Sequence, residues 1–180
     1  MKYGNLTLGQ IEAIVNKLGG IEGVQKFLSG ELIVVLKDRI VYNLTVDYTK
    51  PLMEMIKAGK YDQVNSDITQ ENFPVVGSGK KEKELVLFQF NRRILSDDAI
   101  DEMSKAGCDP GDIVDLLALG EDQPELQRQF PIVALKSSWR HPAGSLRVPY
   151  LCGRADDRDL NLYYFENDWN EGARFLGRRK

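Results

Sequence analysis

The sequence predicts an α+β fold: an N-terminal helical hairpin, a mixed middle region and a β-rich antiparallel C-terminal part. Three observations carry this expectation. Residues 8–28 hold apolar side chains at helical spacing, interrupted by Gly19-Gly20 and closed by Gly30. Residues 96–130 repeat a capped, apolar helical pattern. From Trp139 onward, short alternating runs are separated by polar turns. The expected organisation is residues 1–83 (helical hairpin plus strands and a short helix) followed by residues 84–180 (an α+β domain with a β-rich end).

Thr7 and Gln10 form a T-x-x-Q capping box that opens a helix at Leu8. Leu8, Ile11, Ile14, Val15 and Leu18 share one face, expected to point inward. Ile21, Val24, Phe27 and Leu28 make a second, shorter stripe, also expected inward, so the pair reads as an αα-hairpin. Its faces mix Glu12 and Glu22 with Lys17 and Lys26, which does not match a helix built for phosphates. Leu32–Leu36 and Arg39–Val46 read as strands around a Lys37-Asp38 turn. Pro51 takes the N1 position of a short helix that Gly59 ends.

Residues 61–83 are polar and turn-rich. Gly77-Ser78-Gly79-Lys80 invites a phosphate-loop reading, but the spacing is wrong and a strand follows where a helix should begin. A hairpin loop or linker is expected there, then a strand over Leu85–Phe90. Ser96 is expected to cap a helix that has Asp97 and Asp98 in its first turn. Asp109-Pro110 is expected as N-cap and N1 of the next, with Ile113, Leu116, Leu117 and Leu119 inward and Gly120 closing. A further helical turn runs from Pro124 to Phe130. Strands then follow at Ile132–Ser137, Leu146–Leu151, Leu160–Phe165 and Arg174–Arg178. Leu160, Leu162 and Tyr164 alternate with Asn161, Tyr163 and Phe165, which predicts an antiparallel sheet with one wet face.

The 180 residues carry a net charge of −3, which gives no whole-chain signature of nucleic-acid or membrane binding. The charge is uneven: from Lys136 onward nine Lys or Arg stand against six Asp or Glu. A basic end on an acidic body suits an anionic partner. No leader-like or membrane-spanning apolar run is present, and Cys108 and Cys152 are read as reduced thiols, so a cytoplasmic location is expected. There is no internal repeat.

The one histidine, His141, cannot supply a multi-histidine zinc site, and no cysteine pair has zinc spacing. A nucleophile pair of His141 with Cys108 or with Cys152, the nearer in sequence, is set against the plainer reading of a small buried thiol and a loop imidazole. Asp97/Asp98 reads as helix capping and Asp156/Asp157 as a solvated turn between Arg154 and Arg158. Glu166 to Glu171 is the one place where oxygen ligands crowd together, with Asp168, Asn170 and Glu171 as cation-ligand candidates. No catalytic residue and no cofactor is assigned.

The stretch LTLGQIEAIVNKLGGIEGVQKFLSGEL and the stretches Phe130–Leu135 and Arg174–Leu176 resemble uncharacterised proteins encoded in bacterial and metagenomic genomes. That likeness covers most of the chain and implies no activity. The C-terminal part also resembles the C-type-lectin-like fold, including formylglycine-generating-enzyme-like modules. The resemblance rests on Ser138-Trp139, Trp169-Asn170-Glu171 and the closing Arg174-Phe175-Leu176. It implies an irregular β-rich scaffold whose loops bind a ligand. Glu166-Asn167 lacks the lectin proline, Glu171 stands where the lectin has Asp, and the lectin disulfide cysteines are missing. Calcium-mediated sugar binding is therefore not carried over, nor is the formylglycine-generating activity.

The functional expectation is a non-catalytic binding or interaction module. It would use a C-terminal aromatic and basic face of Trp139, Arg147, Tyr150, Arg158, Tyr163, Trp169 and Arg174 to take a protein or a small polar or anionic ligand. The competing reading places both tryptophans in the core. Two alternatives are a nucleic-acid-associated regulator working through the N-terminal helix pair, and a cation-dependent enzyme using Glu166–Glu171.

Overall fold

The computed structural model describes residues 7–31 and 40–180. The expected Leu32–Leu36 strand and Lys37-Asp38 turn lie outside the described residues. The chain divides into two compact units between Lys37 and Asp38. The division expected at 83/84 falls inside one strand of the second unit.

The first unit holds α1 (Leu8–Lys17) and α2 (Gly20–Leu28). The capping box forms as read: the Gln10 amide donates to Thr7 Oγ1 and the Thr7 amide to Gln10 Oε1. Gly19 and Gly20 both take left-handed backbone, with φ of 91° and 79°, which makes the sharp turn between the helices. Gly23 is buried where the Leu18 carbonyl occupies the place of a Cβ. The apolar stripes are not inward as expected: Leu8, Ile11, Ile14, Ile21, Phe27 and Leu28 are exposed.

The second unit is built on one sheet. Its strands are β1 (Val41–Asp47), β2 (Gln63–Val64), β3 (Lys80–Phe88), β4 (Cys108–Pro110), β5 (Ile132–Val133), β6 (Trp139–Arg140), β7 (Leu146–Gly153), β8 (Arg158–Tyr164) and β9 (Arg174–Arg179). Their main order is β1-β3-β9-β5-β7-β8-β2, with β4 beside β9 and β6 beside β7. Most pairings are antiparallel, as expected of the C-terminal part. However, β5 runs parallel to β9 and β2 parallel to β8, so the sheet is mixed.

The helices of this unit are α3 (Leu52–Gly59), α4 (Ser96–Lys105), α5 (Ile113–Asp122) and α6 (Leu126–Gln129). Strand alternation sorts the core into two clusters. Leu44, Val46, Leu85, Leu151, Leu160 and Leu176 pack with α3 and α5 on one face. Val86, Phe88, Val133, Val148 and Phe175 pack with Ala99 and Met103 of α4 on the other. The single wet face expected from the sequence is therefore absent: apolar groups pack on both faces, and α4 supplies the second cover.

Three helix starts differ from the expected ones. Pro51 sits at the N-cap of α3 with φ −59° and ψ 148°, one residue earlier than N1. Gly59 does end α3, but Lys60 takes the left-handed turn at φ 51°. Gly59 is required instead because the Tyr61 ring fills the site of its Cβ. Leu95, not Ser96, caps α4; the Ser96 hydroxyl donates to the Phe165 carbonyl and accepts from Trp169 Nε1. Asp109-Pro110 opens no helix but forms β4 on the edge of β9, and α5 starts three residues later behind Asp112. No described helix is long and apolar enough to cross a membrane.

Candidate functional site

A concavity of about 550 Å³ opens on the α5 side of the sheet in the second unit. Local sequence builds it in three pieces. In β3, alternation sends Lys81, Lys83 and Leu85 to the same face, so two cations precede the first core leucine. In β9, Arg178 lies two residues past Leu176 and pairs in register with Leu85. Gly111 bridges sheet and helix: its amide donates to the Leu176 carbonyl at 2.7 Å, and its carbonyl accepts from the Lys136 amide at 3.1 Å.

The third piece is the start of α5. Asp112 and Asp115 form a D-x-x-D capping box. The Asp115 amide donates to Asp112 Oδ1 at 2.9 Å, and the Asp112 amide donates to Asp115 Oδ2 at 3.2 Å. The Ile113 amide donates to Ser137 Oγ at 2.9 Å. Both carboxylates thus sit at the positive end of the helix dipole, where negative charge is favoured.

Below the cavity, Lys83 Nζ donates to the Asp115 carboxylate and to the Tyr48 hydroxyl, and the Tyr48 hydroxyl donates to Asp112 Oδ2 at 3.4 Å. The Lys83 side chain is 7% exposed and that of Asp115 is 0% exposed. Burial and the neighbouring Asp112 charge push the Asp115 carboxyl above the usual carboxylate range, against the pull of Lys83. Burial works against the Lys83 charge, but hydrogen bonds to Asp115 and Tyr48 outweigh it and hold the lysine above its ordinary value. Burial also raises the Tyr48 hydroxyl, so it is no ready base.

Above this floor the cavity is cationic. Lys81, Lys83, Lys136 and Arg178 line it against one lining carboxylate, Asp112. Arg178 stands 3.7 Å from Asp109 and 3.9 Å from both Asp112 and Asp115. These distances give attraction without direct hydrogen bonds. Pro74, Val76, Ile113 and Val114 complete the wall.

The sheet separates the seven contact residues expected from the sequence. Tyr150, Tyr163 and Trp169 come together on the α4 face. Tyr163 and Trp169 have ring centroids 4.9 Å apart, and Tyr150 lies 6.0 Å from Tyr163 and 6.4 Å from Trp169. Trp139, Arg147, Arg158 and Arg174 lie on the opposite face. Trp139 packs against Phe73 at 6.4 Å, and Arg147 lies over the Tyr164 ring at 5.2 Å and 3.8 Å from Asp67. Arg174 lies over the Phe130 ring at 4.6 Å and donates to the Gly172 carbonyl; burial lowers its pKa.

Arg158 is buried. It donates to the carbonyls of Gly59 at 2.6 Å and Gly120 at 2.7 Å and to Gln127 Oε1 at 3.2 Å, which ties α3, α5 and α6 to β8. Trp169 is 5% exposed, so it belongs to the core as much as to any surface. Of the cation-ligand candidates, Asp168 accepts from Arg93 at 2.9 Å and Asn170 Oδ1 from the Gly172 amide at 3.0 Å. Among the described residues, no three His, Cys, Asp or Glu side chains gather as a metal site.

None of Tyr48, Lys81, Lys83, Asp112, Asp115, Lys136 and Arg178 is among the contact residues expected from the sequence. One signal was available: Lys-x-Lys running directly into an apolar strand places two cations on the core side, which calls for buried partners. Comparison with protein-family models, curated proteins and solved structures finds no match to this chain.

Proposed function

We propose that this protein is a binding module for a small phosphorylated molecule held in the Lys81–Lys136–Arg178 cavity. One observation carries the reading: Arg178 and two lysines converge on a concave site, and Arg178, though within ion-pair distance of Asp109, Asp112 and Asp115, makes no direct hydrogen bond to them. Arg178 makes no side-chain hydrogen bond to a described residue, and neither Lys81 nor Lys136 makes an ion pair with one. A volume of about 550 Å³ suits a small metabolite. Guanidinium and ammonium groups together favour phosphate oxygens. The apolar wall of Pro74, Val76 and Val114 suits the organic part of such a ligand. A cationic recess on a chain of net charge −3 also focuses field toward anions locally.

Binding is favoured over catalysis because the buried polar groups satisfy one another. Lys83 is committed to Asp115 and Tyr48, and the Tyr48 hydroxyl is raised, so neither is poised for proton transfer at neutral pH.

The test is calorimetric titration with inorganic phosphate and pyrophosphate at low ionic strength. Arg178→Gln and Lys136→Ala should each weaken binding by about tenfold or more, the value of one charge-assisted hydrogen bond. Lys105→Ala, at an exposed position of α4, should not. Added sodium chloride should weaken binding. No heat of binding with either anion, or an equal loss in Lys105→Ala, contradicts the reading.

A further inference from the structure

The aromatic recess on the α4 face has a different chemistry from the cationic cavity and lies on the opposite side of the sheet. It encloses about 300 Å³, lined by Tyr150, Tyr163 and Trp169 with Arg93, Asp168 and Asn170 at its polar rim. Its walls come from separate segments held in fixed register. Tyr150 and Tyr163 project from β7 and β8, which pair over seven residue positions. Trp169 is fixed by a bridge to Ile94, with hydrogen bonds of 2.9 and 3.1 Å, and by its indole N–H donated to Ser96.

Tyr163 carries the exposed part of this aromatic cluster. It remains 37% exposed, and its ring is tilted 48° to Trp169 and 73° to Tyr150. The rings therefore form a corner with one open face, not a closed stack. Aromatic residues open to solvent beside a recess present contact area at small entropic cost.

The rim supplies both hydrogen-bonding senses without net charge. Arg93 and Asp168 neutralise each other at 2.9 Å, which leaves further guanidinium donors and Asp168 Oδ1 without a hydrogen-bond partner among the described residues. Asn170 uses its Oδ1 for the Gly172 amide, and its Nδ2 has no hydrogen-bond partner among the described residues. A neutral rim disfavours a free ion. The partly exposed Tyr163 ring, with donors and an acceptor at the rim of the recess, matches an uncharged planar heteroaromatic ring, which stacks through its face and is read at its edge.

We infer that the Tyr150–Tyr163–Trp169 recess is a second ligand site, taking an uncharged planar heteroaromatic ring of the nucleobase class. The ring stacks on Tyr163, and Asp168, Asn170 and Arg93 hydrogen-bond its edge. Because the two sites lie on opposite faces of the sheet, this ligand is a separate molecule from the anion of the other cavity.

Trp169 makes the test direct. The chain has two tryptophans, and Trp139 packs with Phe73 and the core of the other face. In Trp139→Phe, indole fluorescence reports the recess alone. Titration of that variant with adenosine, guanosine, cytidine and uridine is expected to give saturable quenching by at least one of them. Tyr163→Ala in the same background is expected to weaken it about tenfold, the value of one stacked base, with a melting profile that shows the variant folded at the titration temperature. Asp168→Asn is expected to change which nucleoside binds best. Three results overturn the inference: no saturable change with any nucleoside, equal quenching in Tyr163→Ala, or saturation by methyl glucoside without saturation by a nucleoside. A Tyr163→Phe variant keeps the ring and is expected to retain binding.

Discussion

Lys83 and Asp115 form an ion pair beneath the cationic cavity, with 7% and 0% of their side chains exposed. The pair joins β3 to the first turn of α5, and Tyr48 completes it from the β1 side. Two buried charges of opposite sign are tolerable only together, since each alone carries the full cost of leaving water.

Removing one partner is therefore expected to be far worse than removing both. Asp115→Ala leaves Lys83 buried and unpaired and breaks the α5 capping box, at a cost of about 3–5 kcal/mol. The double variant Lys83→Met/Asp115→Leu is expected to recover a large part of that loss. Urea denaturation of Lys83→Met, Asp115→Leu and the double gives the coupling; equal, additive losses would argue against a shared burial.

The same pair sets an alkaline limit. The folded pKa of Lys83 is held above the ordinary lysine value of 10.5. Its contribution to stability is fully present below 10.5 and is lost as pH rises through the raised folded value. Asp112, Asp115, Tyr48 and Arg178 are the charged and titratable groups facing it. Denaturation at pH 8 and pH 11 is expected to show a steeper fall in the natural chain than in Lys83→Met. A parallel fall in both would remove Lys83 as the cause.

Arg158 is expected to be structural. Arg158→Ala strips hydrogen bonds from the Gly59 and Gly120 carbonyls and from Gln127, each worth about 1.5–3 kcal/mol to a charged donor. Arg158→Lys is expected to lose stability as well, because one ammonium cannot span the three acceptors of the planar fork. Folded Arg158→Lys should bind phosphate as the natural chain does. Reduced affinity at unchanged stability would move Arg158 from scaffold to site.

Gly177 lies in β9 with a site for Cβ only 2.6 Å from the Phe88 ring. Gly177→Ala is expected to cost about 1–3 kcal/mol by overpacking the α4-side core. Gly177→Ala combined with Phe88→Leu should restore part of it, read from melting temperatures. No loss in the single variant would mean that this ring can move aside.

Much of the fold was legible because its signals are local. The Thr7–Gln10 box, the Gly19-Gly20 turn and the Leu160/Tyr163 alternation each depend on a few neighbouring residues, and each forms as read. The misread parts depend on distant partners. Ser96 looks like a helix cap, but Phe165 and Trp169 claim its hydroxyl from about 70 residues away. Asp109-Pro110 looks like a helix start, but pairing with β9 makes it a strand. Face assignment also limited the site. The seven expected contacts share a segment, yet strand alternation sends Tyr150 and Tyr163 to one side and Arg147 and Arg158 to the other. The cationic cavity draws on residues 48, 81, 112, 136 and 178, which only the completed sheet brings together.

The most direct test of phosphate binding is an amide NMR titration with inorganic phosphate at low salt. Saturable shifts are expected at Ile113, Val114, Ser137 and Arg178, around the cavity mouth, and they should vanish in Arg178→Gln. Unchanged amides at those four positions, or small unsaturable shifts spread over exposed lysines such as Lys26, Lys60 and Lys105, would contradict it.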